Sequence, residues 1–378
     1  MPRRTVSDLP TPALLLDLDV LERNVERMAA KVRGLGAALR PHVKTHKCIE
    51  VGEMQRRHGA QGITVATIVE ARDFAAHGFD DITWAVPLPL SRLDEVIELA
   101  RSVTLRVTVD APEATDALIA AARQAGLSIH TWLEVDCGYH RSGVDPAAES
   151  SVALVRRIAD SPHLVFDGLL THAGHGYAAR TDAARRAVAK EEREVTVAFA
   201  ERLRATGVAV PAVSVGSTPT MAVTDSLAGV TEARPGNYAF YDWMQAAAGV
   251  CRPEDVAVSV LASVISRQPG LDHVIVDAGA LAMSKDPGPG DPTLRKGLGP
   301  LMAGLEGGVL EPALHLTHAS QEHGFLGGAT AADLTRLRVG ERVRIMPNHS
   351  CLTVAMFDAY EVVRGAEVVD RWTIHRGR

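Results

Sequence analysis

Short apolar runs alternate with amphipathic stretches along the first two thirds of the chain. Consecutive or alternating apolar residues predict strands, whereas apolar residues that recur every three or four positions predict helices. The pattern predicts strands at residues 39–43, 62–66, 82–86, 103–109, 129–135, 165–171, 212–215 and 230–234. It predicts helices at residues 21–32, 68–77, 91–100, 114–126, 149–160 and 183–207. Strands that alternate with helices form parallel βαβ units, and eight of them predict an α/β protein with a closed (β/α)8 TIM barrel.

We assign the predicted barrel domain to residues 12–245, which include an apolar run at residues 13–17 ahead of the first helix. The alternative is an open, doubly wound sheet. No Gly-x-Gly-x-x-Gly sequence follows an early strand, however, and that sequence is typical of the dinucleotide-binding form of such sheets. The closed barrel is therefore the favoured interpretation.

The hydrophobic pattern changes after residue 250. Short strands separated by Gly and Pro turns are predicted at residues 256–267, 273–278, 309–317, 341–346 and 358–363. This predicts a mostly-β second domain at residues 250–378, and residues 1–11 are a candidate addition to it. Residues 285–300 are rich in Gly and Pro and too long for a plain turn, so a lid and an ordinary surface loop both stay open.

Composition narrows the class of protein. A length of 378 residues suits two domains, and 46% hydrophobic with 23% charged residues is typical of a folded chain. A net charge of −6 gives no reason to expect nucleic acid or an anionic membrane as partner. We find no apolar run that would span a bilayer or act as a signal peptide. The cysteines lack paired spacing, so a reducing cytoplasmic location without disulfides is expected for Cys48, Cys137, Cys251 and Cys351.

Candidate chemistry begins at Lys44, at the end of the first predicted barrel strand. In an extended strand His42 would lie on the same face. A lysine crowded by His42, His46 and Lys47 loses proton affinity, and a neutral amine can form a Schiff base. Taken alone, the same residues are more typical of a surface cluster of Lys and His at the end of a strand.

Further polar residues follow the other predicted strands, and the active site of a (β/α)8 barrel lies where its strands end. These residues are 136–143, Thr171-His172, Gly216-Ser217-Thr218 and Pro235-Gly236-Asn237. The last two groups follow strands seven and eight, the usual phosphate site of this barrel. Singly, His172 suits a core histidine and Ser217 a helix cap. Together, a lysine and a phosphate site on one rim predict pyridoxal phosphate.

A second candidate site follows the predicted strand 341–346. In an extended chain His349 and Cys351 point to the same side, so an imidazole and a thiolate can share one metal ion. This ligand pair favours zinc, and two protein ligands leave coordination positions open, as in a catalytic site. A buried His beside a buried Cys without metal is the alternative.

These residues resemble a known family, the D-serine dehydratase and D-threonine aldolase group of fold-type III, alanine racemase-like pyridoxal phosphate enzymes. The resemblance covers nearly the whole chain and implies that the barrel is of the alanine racemase N-terminal type. It rests on Thr11-Pro12-Ala13-Leu14, Arg40-Pro41-His42-Val43-Lys44-Thr45-His46-Lys47, Val135-Asp136-Cys137-Gly138, Val215-Gly216-Ser217-Thr218-Pro219, Arg234-Pro235-Gly236-Asn237-Tyr238, Glu322-His323-Gly324 and Pro347-Asn348-His349-Ser350-Cys351.

The resemblance implies specific contacts with the cofactor. Lys44 would form the Schiff base with pyridoxal phosphate and would then act as the catalytic base at Cα of the substrate. Arg141 would lie near the phenolic oxygen of the cofactor, His172 would stack on its pyridine ring, and Tyr177 would line the pocket.

The resemblance also implies the remaining ligands. The phosphate would be held by Ser217, Thr218, Gly236 and Asn237, and a divalent metal, expected to be zinc, by His349 and Cys351. Family members are dimers, so a homodimer is expected, with a small D-amino acid as substrate.

The implied activity is a lyase that eliminates the β-hydroxyl of a D-β-hydroxy amino acid, as D-serine dehydratase does, to give a keto acid and ammonia. Cys351 resembles D-serine and 3-hydroxyaspartate dehydratases, whereas D-threonine aldolases carry Asp at that position. Tyr139 and His140 depart from the family pattern, and His175 has no expected counterpart, so substrate identity stays open. The alternatives are D-threonine or 3-hydroxyaspartate aldolase, an amino acid racemase, a non-catalytic pyridoxal phosphate carrier and a zinc-dependent barrel hydrolase.

Overall fold

The structure is a computed structural model, and it describes residues 4–307, 310–328 and 330–377. Contacts between Cα atoms divide the chain into two compact units. The barrel unit contains residues 27–44 and 51–236. The β unit contains residues 4–26, 45–50 and the described residues between 237 and 376.

The chain enters through strand β1 (Ala13–Asp17) and helix α1 (Leu18–Gly34) and then forms the barrel strands. These strands are β2 (Ala38–Leu39), β3 (Ile63–Val65), β4 (Asp81–Pro87), β5 (Thr104–Val109), β6 (Ile129–Val135), β7 (Leu164–Thr171), β8 (Ala212–Val215) and β9 (Glu232–Ala233). They form one parallel sheet in the order β2-β9-β8-β7-β6-β5-β4-β3.

The two ends of this sheet meet just beyond β2 and at β3. His42 and Thr64 form a parallel bridge, the Thr64 N–H donates to the Pro41 carbonyl over 2.8 Å, and the Gln61 N–H donates to the Leu39 carbonyl over 2.8 Å. The eight strands therefore close on themselves, which confirms the predicted barrel. All eight were predicted, and β6 and β8 have the predicted bounds.

Helices follow most barrel strands and cover the sheet with their apolar faces. They are α2 (Ile49–Arg57), α3 (Ile68–Ala76), α4 (Leu93–Leu99), α5 (Pro112–Ala125), α6 (Glu149–Ala159), α7 (Asp182–Ala205) and α8 (Thr218–Val223). Helix α2 was not predicted, because Gly52 interrupts its pattern. A Cβ atom there would lie 2.9 Å from the Phe74 ring, so packing requires the glycine.

The predicted strand 39–43 is wrong at its end. Strand β2 stops at Leu39, and Val43–Thr45 form a 3₁₀ turn. Pro41 has no N–H to donate to a neighbouring strand, and the chain bends after it. Lys44 is consequently presented by a turn at the barrel rim and does not share a strand face with His42.

In the described part of the β unit, one large sheet is accompanied by four short helices after residue 237. Its further strands are β10 (Val258–Ser266), β11 (His273–Val276), β12 (Gly299–Met302), β13 (Leu310–Ala319), β14 (Gly324–Gly328), β15 (Arg342–Ile345), β16 (Ala359–Arg364) and β17 (Glu367–Thr373). Its helices are α9 (Trp243–Ala247), α10 (Ala280–Met283), α11 (Ala331–Leu334) and α12 (Ser350–Val354). The sheet runs β11-β14-β13-β12-β15-β10-β1-β16-β17, so the second unit is mostly β as predicted.

Strand β1 lies inside this sheet and not in the barrel. It pairs antiparallel with β10, with Ala13 opposite Leu261, and parallel with β16, with Leu15 opposite Glu361. The structure therefore assigns residues 12–26 to the β unit, whereas the pattern placed them in a barrel domain beginning at residue 12. Its residues Ala13 to Leu16 are all buried, which suits a central strand of either sheet.

Three strands of the β unit were not predicted, namely β12, β14 and β17. Strand β14 reads Gly-Phe-Leu-Gly-Gly, a composition typical of a loop. Its glycines are required by close packing, because a Cβ atom on Gly324 would lie 2.3 Å from the Ala278 carbonyl. Within the residues that the structure describes, no helix has the length and apolar character needed to cross a membrane.

Candidate active site

Lys44 lies half-buried in the 3₁₀ turn beyond β2, and its backbone N–H donates to Nδ1 of His42 over 3.4 Å. Its charge acts on His172, which follows β7. Burial and the positive charges of Lys44, Arg141 and Arg234 together hold the pKa of His172 well below its usual 6.5. The structure thus brings these predicted residues into one cationic cluster, in which His172 is neutral at physiological pH.

Aromatic rings surround His172 at the barrel rim. Its ring centroid lies 6.2 Å from that of Tyr139, edge to face, and 6.4 Å from that of Tyr177. The Arg141 guanidinium lies 5.6 Å from the Tyr139 ring centroid. Arg141, Tyr139 and Tyr177 are exposed, so this side of the cluster is open to a ligand. Tyr139 is thereby a rim residue without a predicted role.

Glu134, on β6, is a buried carboxylate facing the same rim. Its Oε1 accepts a hydrogen bond from the Ser142 hydroxyl over 2.9 Å and lies 3.7 Å from Nη2 of Arg141. Burial raises the pKa of Glu134, and these two neighbours oppose the shift. The carboxylate thus forms an ion pair with the Arg141 guanidinium.

Ser217 caps helix α8, as the plain alternative for this residue predicted. Its backbone N–H donates to the Thr220 hydroxyl over 3.0 Å, and its own hydroxyl accepts from the Thr220 N–H over 3.4 Å. Ser217 and Thr218 are both buried. The predicted phosphate residues 217 and 218 therefore form the start of a helix, where backbone dipoles favour an anion.

Gly236 supplies a further donor at the rim. It is buried, and its backbone N–H makes no hydrogen bond within the described part of the chain. A Cβ atom there would lie 2.7 Å from the His42 carbonyl, so only glycine lets this loop approach the segment that carries Lys44. A buried N–H without a protein partner is what an anionic group would satisfy. A lysine, a neutral imidazole and an N–H donor of this kind fit pyridoxal phosphate.

Two buried charged residues support this rim, and the sequence analysis gave neither a role. Glu192 on α7 accepts hydrogen bonds at Oε1 from the N–H groups of Ala173, over 3.1 Å, and Gly216, over 3.0 Å. Its carboxylate therefore joins the loops after β7 and β8. Burial raises the pKa of Glu192, whereas the two N–H groups and Arg234 oppose that rise.

Arg234 lies after β9 and is buried. Its guanidinium donates to the Ser214 hydroxyl and to the Thr171 carbonyl, which ties together the ends of β7, β8 and β9. A signal for Glu192 was present in the sequence. Glu192 lies between Ala189 and Thr196 at helical spacing, so an acidic residue falls on the buried face of α7.

The His349–Cys351 pair lies in the β unit, beyond β15. His349 caps α12 and Cys351 lies in its first turn, so the predicted extended geometry is wrong. The helical turn nevertheless joins the two side chains by a hydrogen bond. His349 Nδ1 also lies 3.0 Å from Oδ2 of Asp286, a partner from the irregular stretch 285–300 that the pattern did not reveal.

The electrostatics of this pair suit a cation. Burial alone would lower the pKa of His349, but hydrogen bonds to Asp286 and Cys351 and the charge of Asp242 raise it to about 11. The Cys351 thiol contacts Thr45 Oγ1 at 3.3 Å, and the Asn237 amide donates to its sulfur over 3.8 Å. The pair thus combines an imidazole with a cysteine sulfur, which is the donor set of a zinc ion.

Among the described residues no set of three or more His, Cys, Asp and Glu side chains is arranged as a metal site. Asp286 contacts the imidazole of His349 at Nδ1. The predicted ligands His349 and Cys351 fit a metal held by two protein groups.

Asn237 is placed differently from the other predicted phosphate residues. It belongs to the β unit, whereas Ser217, Thr218 and Gly236 belong to the barrel unit. Its amide donates to Asp242 over 3.0 Å and to Ser350 over 2.9 Å. The side chain is therefore committed to the surroundings of Cys351, and its backbone N–H is the group left for a phosphate, since it has no hydrogen bond in the described ranges.

Comparison with known proteins adds to this geometry. Residues 16–242 match the model of the alanine racemase N-terminal domain, and residues 257–363 match that of a serine dehydratase domain. D-threo-3-hydroxyaspartate dehydratase of Delftia sp. is 43% identical over 97% of this chain and 98% of its own length. D-serine dehydratase of Dictyostelium discoideum is 34% identical over 95% and 94%. D-threonine aldolase of Arthrobacter sp. is 33% identical over 99% and 94%.

Solved structures agree. The Delftia dehydratase superposes with a TM-score of 0.94 at 42% identity, over all of both chains. A cysteine-to-alanine variant of that enzyme in a metal-free form superposes with a TM-score of 0.94 at 41% identity, also over all of both chains. The chain therefore belongs to the D-serine dehydratase and D-threonine aldolase group of the fold-type III, alanine racemase-like pyridoxal phosphate enzymes.

Proposed function

We propose that this chain is a pyridoxal phosphate- and metal-dependent dehydratase that eliminates the β-hydroxyl of a D-β-hydroxy amino acid and yields a keto acid and ammonia. The observation that carries the proposal is the placement of His349 and Cys351 in one helical turn, with Asp286 at Nδ1 of the imidazole. Support comes from the similarity to D-threo-3-hydroxyaspartate dehydratase at 43% identity. We infer 3-hydroxyaspartate and D-serine as the first substrates to test.

Lys44 would anchor the cofactor and then move a proton. Pyridoxal phosphate, when bound, supplies an electron sink that stabilises negative charge at Cα of an amino acid. The amine of Lys44 would take the Cα proton as general base, a role that contributes about 10²- to 10⁴-fold to a rate. Because Lys44 lies on a short turn at the barrel rim, its side chain is not part of a strand face.

The rim residues would bind and orient the cofactor. His172, kept neutral by burial and by nearby cations, would pack against the pyridine ring without adding charge. The N–H of Gly236, the N-terminus of α8 at Ser217 and Thr218, and the backbone N–H of Asn237 would hold the phosphate. Arg141 and Tyr177 would flank the open side, where both side chains are exposed.

The metal pair would make the hydroxyl a better leaving group. A zinc ion, when bound, supplies Lewis acidity to a hydroxyl oxygen. His349 and Cys351 would be its protein ligands, and two ligands leave coordination positions for the substrate. The amide of Asn237, which donates to the sulfur, would stabilise the Cys351 thiolate. The Thr45 oxygen, which accepts from the thiol, contacts the same sulfur.

Retro-aldol cleavage to glycine and an aldehyde is the second candidate, because a D-threonine aldolase is 33% identical over 99% of this chain. Cys351 favours elimination, since the resembling aldolases have Asp there. A racemase or a non-catalytic carrier would leave the His349–Cys351 pair without a role. We also infer a cytoplasmic homodimer, for which light scattering should give twice the chain mass of 40.3 kDa.

The test is a product assay with purified enzyme on D-threo-3-hydroxyaspartate, D-serine and D-threonine, with the L-isomers as controls. Keto acid and ammonia in equal amounts are expected from at least one D-substrate, with activity lost to a chelator and restored by Zn²⁺. Glycine as the main product would assign the aldolase reaction instead. Inversion at Cα with the hydroxyl retained would make the chain a racemase.

A further inference from the structure

The segment between α10 and β12 is bound near both of its ends by Asn348, the residue that precedes His349. The buried Asn348 amide donates to the Asp286 carbonyl and to the Gly297 carbonyl, over 2.9 Å in each case. Gly288, at φ +81°, packs where a Cβ atom would lie 2.8 Å from that amide. The segment therefore contacts Asn348 at Asp286, Gly288 and Gly297, in addition to its chain connections to α10 and β12.

The Asp286 carboxylate is oriented by this arrangement. Its Oδ1 accepts from the Gly288 N–H over 2.9 Å, and its Oδ2 lies 3.0 Å from Nδ1 of His349. The backbone of the same residue is held by Asn348, the neighbour of His349 in sequence. One hydrogen bond to the carboxylate, from Gly288, and one to the backbone, from Asn348, thus hold Asp286 against one ring nitrogen.

We propose that Asp286 is a positioning residue for the metal. A neutral imidazole carries one N–H, and a carboxylate at Nδ1 places it there, so Nε2 is left as the nitrogen that binds the metal. The carboxylate also makes the imidazole a stronger donor. This inference rests on the proposed function, because it takes His349 and Cys351 as the metal ligands.

Asp242, the other nearby carboxylate, has a different task. Its Oδ1 accepts from the Gln245 N–H over 3.0 Å and caps α9. Its Oδ2 accepts from the Ser350 N–H over 3.1 Å and from the Asn237 amide over 3.0 Å. Its oxygens are thus committed to backbone and amide groups, which leaves Asp286 as the acceptor for the His349 ring.

The experiment measures Zn²⁺ affinity of the cofactor-loaded, metal-stripped enzyme by competition with a chromophoric chelator. Co²⁺ titration, followed by thiolate-to-metal charge-transfer absorption, reports binding at Cys351 independently of activity. Asp286→Ala should raise the Kd for Zn²⁺ by about 10- to 100-fold, and Asp286→Asn, which keeps an acceptor oxygen, by less. Asp291→Asn is the matched control, because it removes a carboxylate that contacts Thr293 in the same segment.

The outcomes separate the inference from the function on which it rests. Unchanged Zn²⁺ affinity in Asp286→Ala, with binding lost in Cys351→Ala, overturns the role of Asp286 and leaves the proposed function in place. A wild-type enzyme that turns over fully without metal and binds no Zn²⁺ overturns both. Equal weakening in Asp286→Asn and Asp291→Asn, with lowered thermal midpoints, would show a loop effect and would also overturn the positioning role.

Discussion

Removing the Glu192 carboxylate is expected to loosen the cofactor rim. Both N–H groups that it accepts, from Ala173 and Gly216, point at one oxygen, Oε1. Glu192→Ala leaves two buried donors unsatisfied at about 1–3 kcal/mol each, so the free energy of unfolding should fall by about 2–6 kcal/mol. Glu192→Gln can keep Oε1 in place and loses mainly the charge opposite the buried Arg234. Its cost should therefore be smaller, about 1–2 kcal/mol.

Urea unfolding gives the stability change, and release of pyridoxal phosphate followed by absorbance gives the effect on the rim. The order of cofactor affinity should be wild type, then Glu192→Gln, then Glu192→Ala, because the joined loops carry His172 and Ser217. Glu194→Gln on the same helix, an exposed residue paired with Arg193, should change stability by less than about 0.5 kcal/mol. If Glu192→Ala lowers the free energy of unfolding by less than about 1 kcal/mol and leaves the cofactor affinity unchanged, Glu192 does not hold the two loops together.

Three further outcomes are expected. Lys44→Ala should lower kcat by about 10²- to 10⁴-fold and abolish the cofactor absorbance band that borohydride bleaches. Lys190→Ala, on the exposed face of α7, should keep both the kcat and the band. A Lys44→Ala enzyme that keeps the band would exclude Lys44 as the residue that binds the cofactor. Cys351→Ala should lose Zn²⁺ binding and turnover but keep the cofactor band, and undiminished Zn²⁺ binding would contradict its role as ligand. The folded state depresses the pKa of His172, so the unfolded chain binds more protons below the usual pKa of 6.5. The free energy of unfolding should therefore fall as the pH drops below that value, by up to about 1.4 kcal/mol per pH unit. His172→Gln should flatten this slope in urea unfolding.

Local sequence patterns were sufficient for elements whose partners are near in sequence. The barrel strands from 129 and 212 have the predicted bounds, because an apolar run between two helices specifies a buried parallel strand. The same pattern at residues 13–17 was assigned to the barrel. Its partners lie more than 240 residues away, at 258–261 and 361–363, and no local feature distinguishes the two sheets.

The sequence indicates candidate reactive residues for the site but not the residues that support them. Lys44, His349 and Cys351 stand out because their side chains bring chemistry that an apolar core does not need. Glu192 and Asp286 act through hydrogen bonds to partners 24 and 63 residues away, and such pairs are not visible in a single sequence. His349–Cys351 was misread as extended, because a five-residue helix is too short to give a periodic pattern.

The central place of β1 has a consequence for the order of synthesis. Ala13–Asp17 is made well before its neighbours Val258–Ser266 and Ala359–Arg364. The barrel strands, which span residues 38–233, are complete long before this sheet can close. A fragment that starts at residue 237 would lack β1 and expose two unpaired strand edges, a known cause of aggregation. A fragment without residues 13–17 is therefore expected to aggregate, and β1 stays without its neighbouring strands until residues 258–363 have been made.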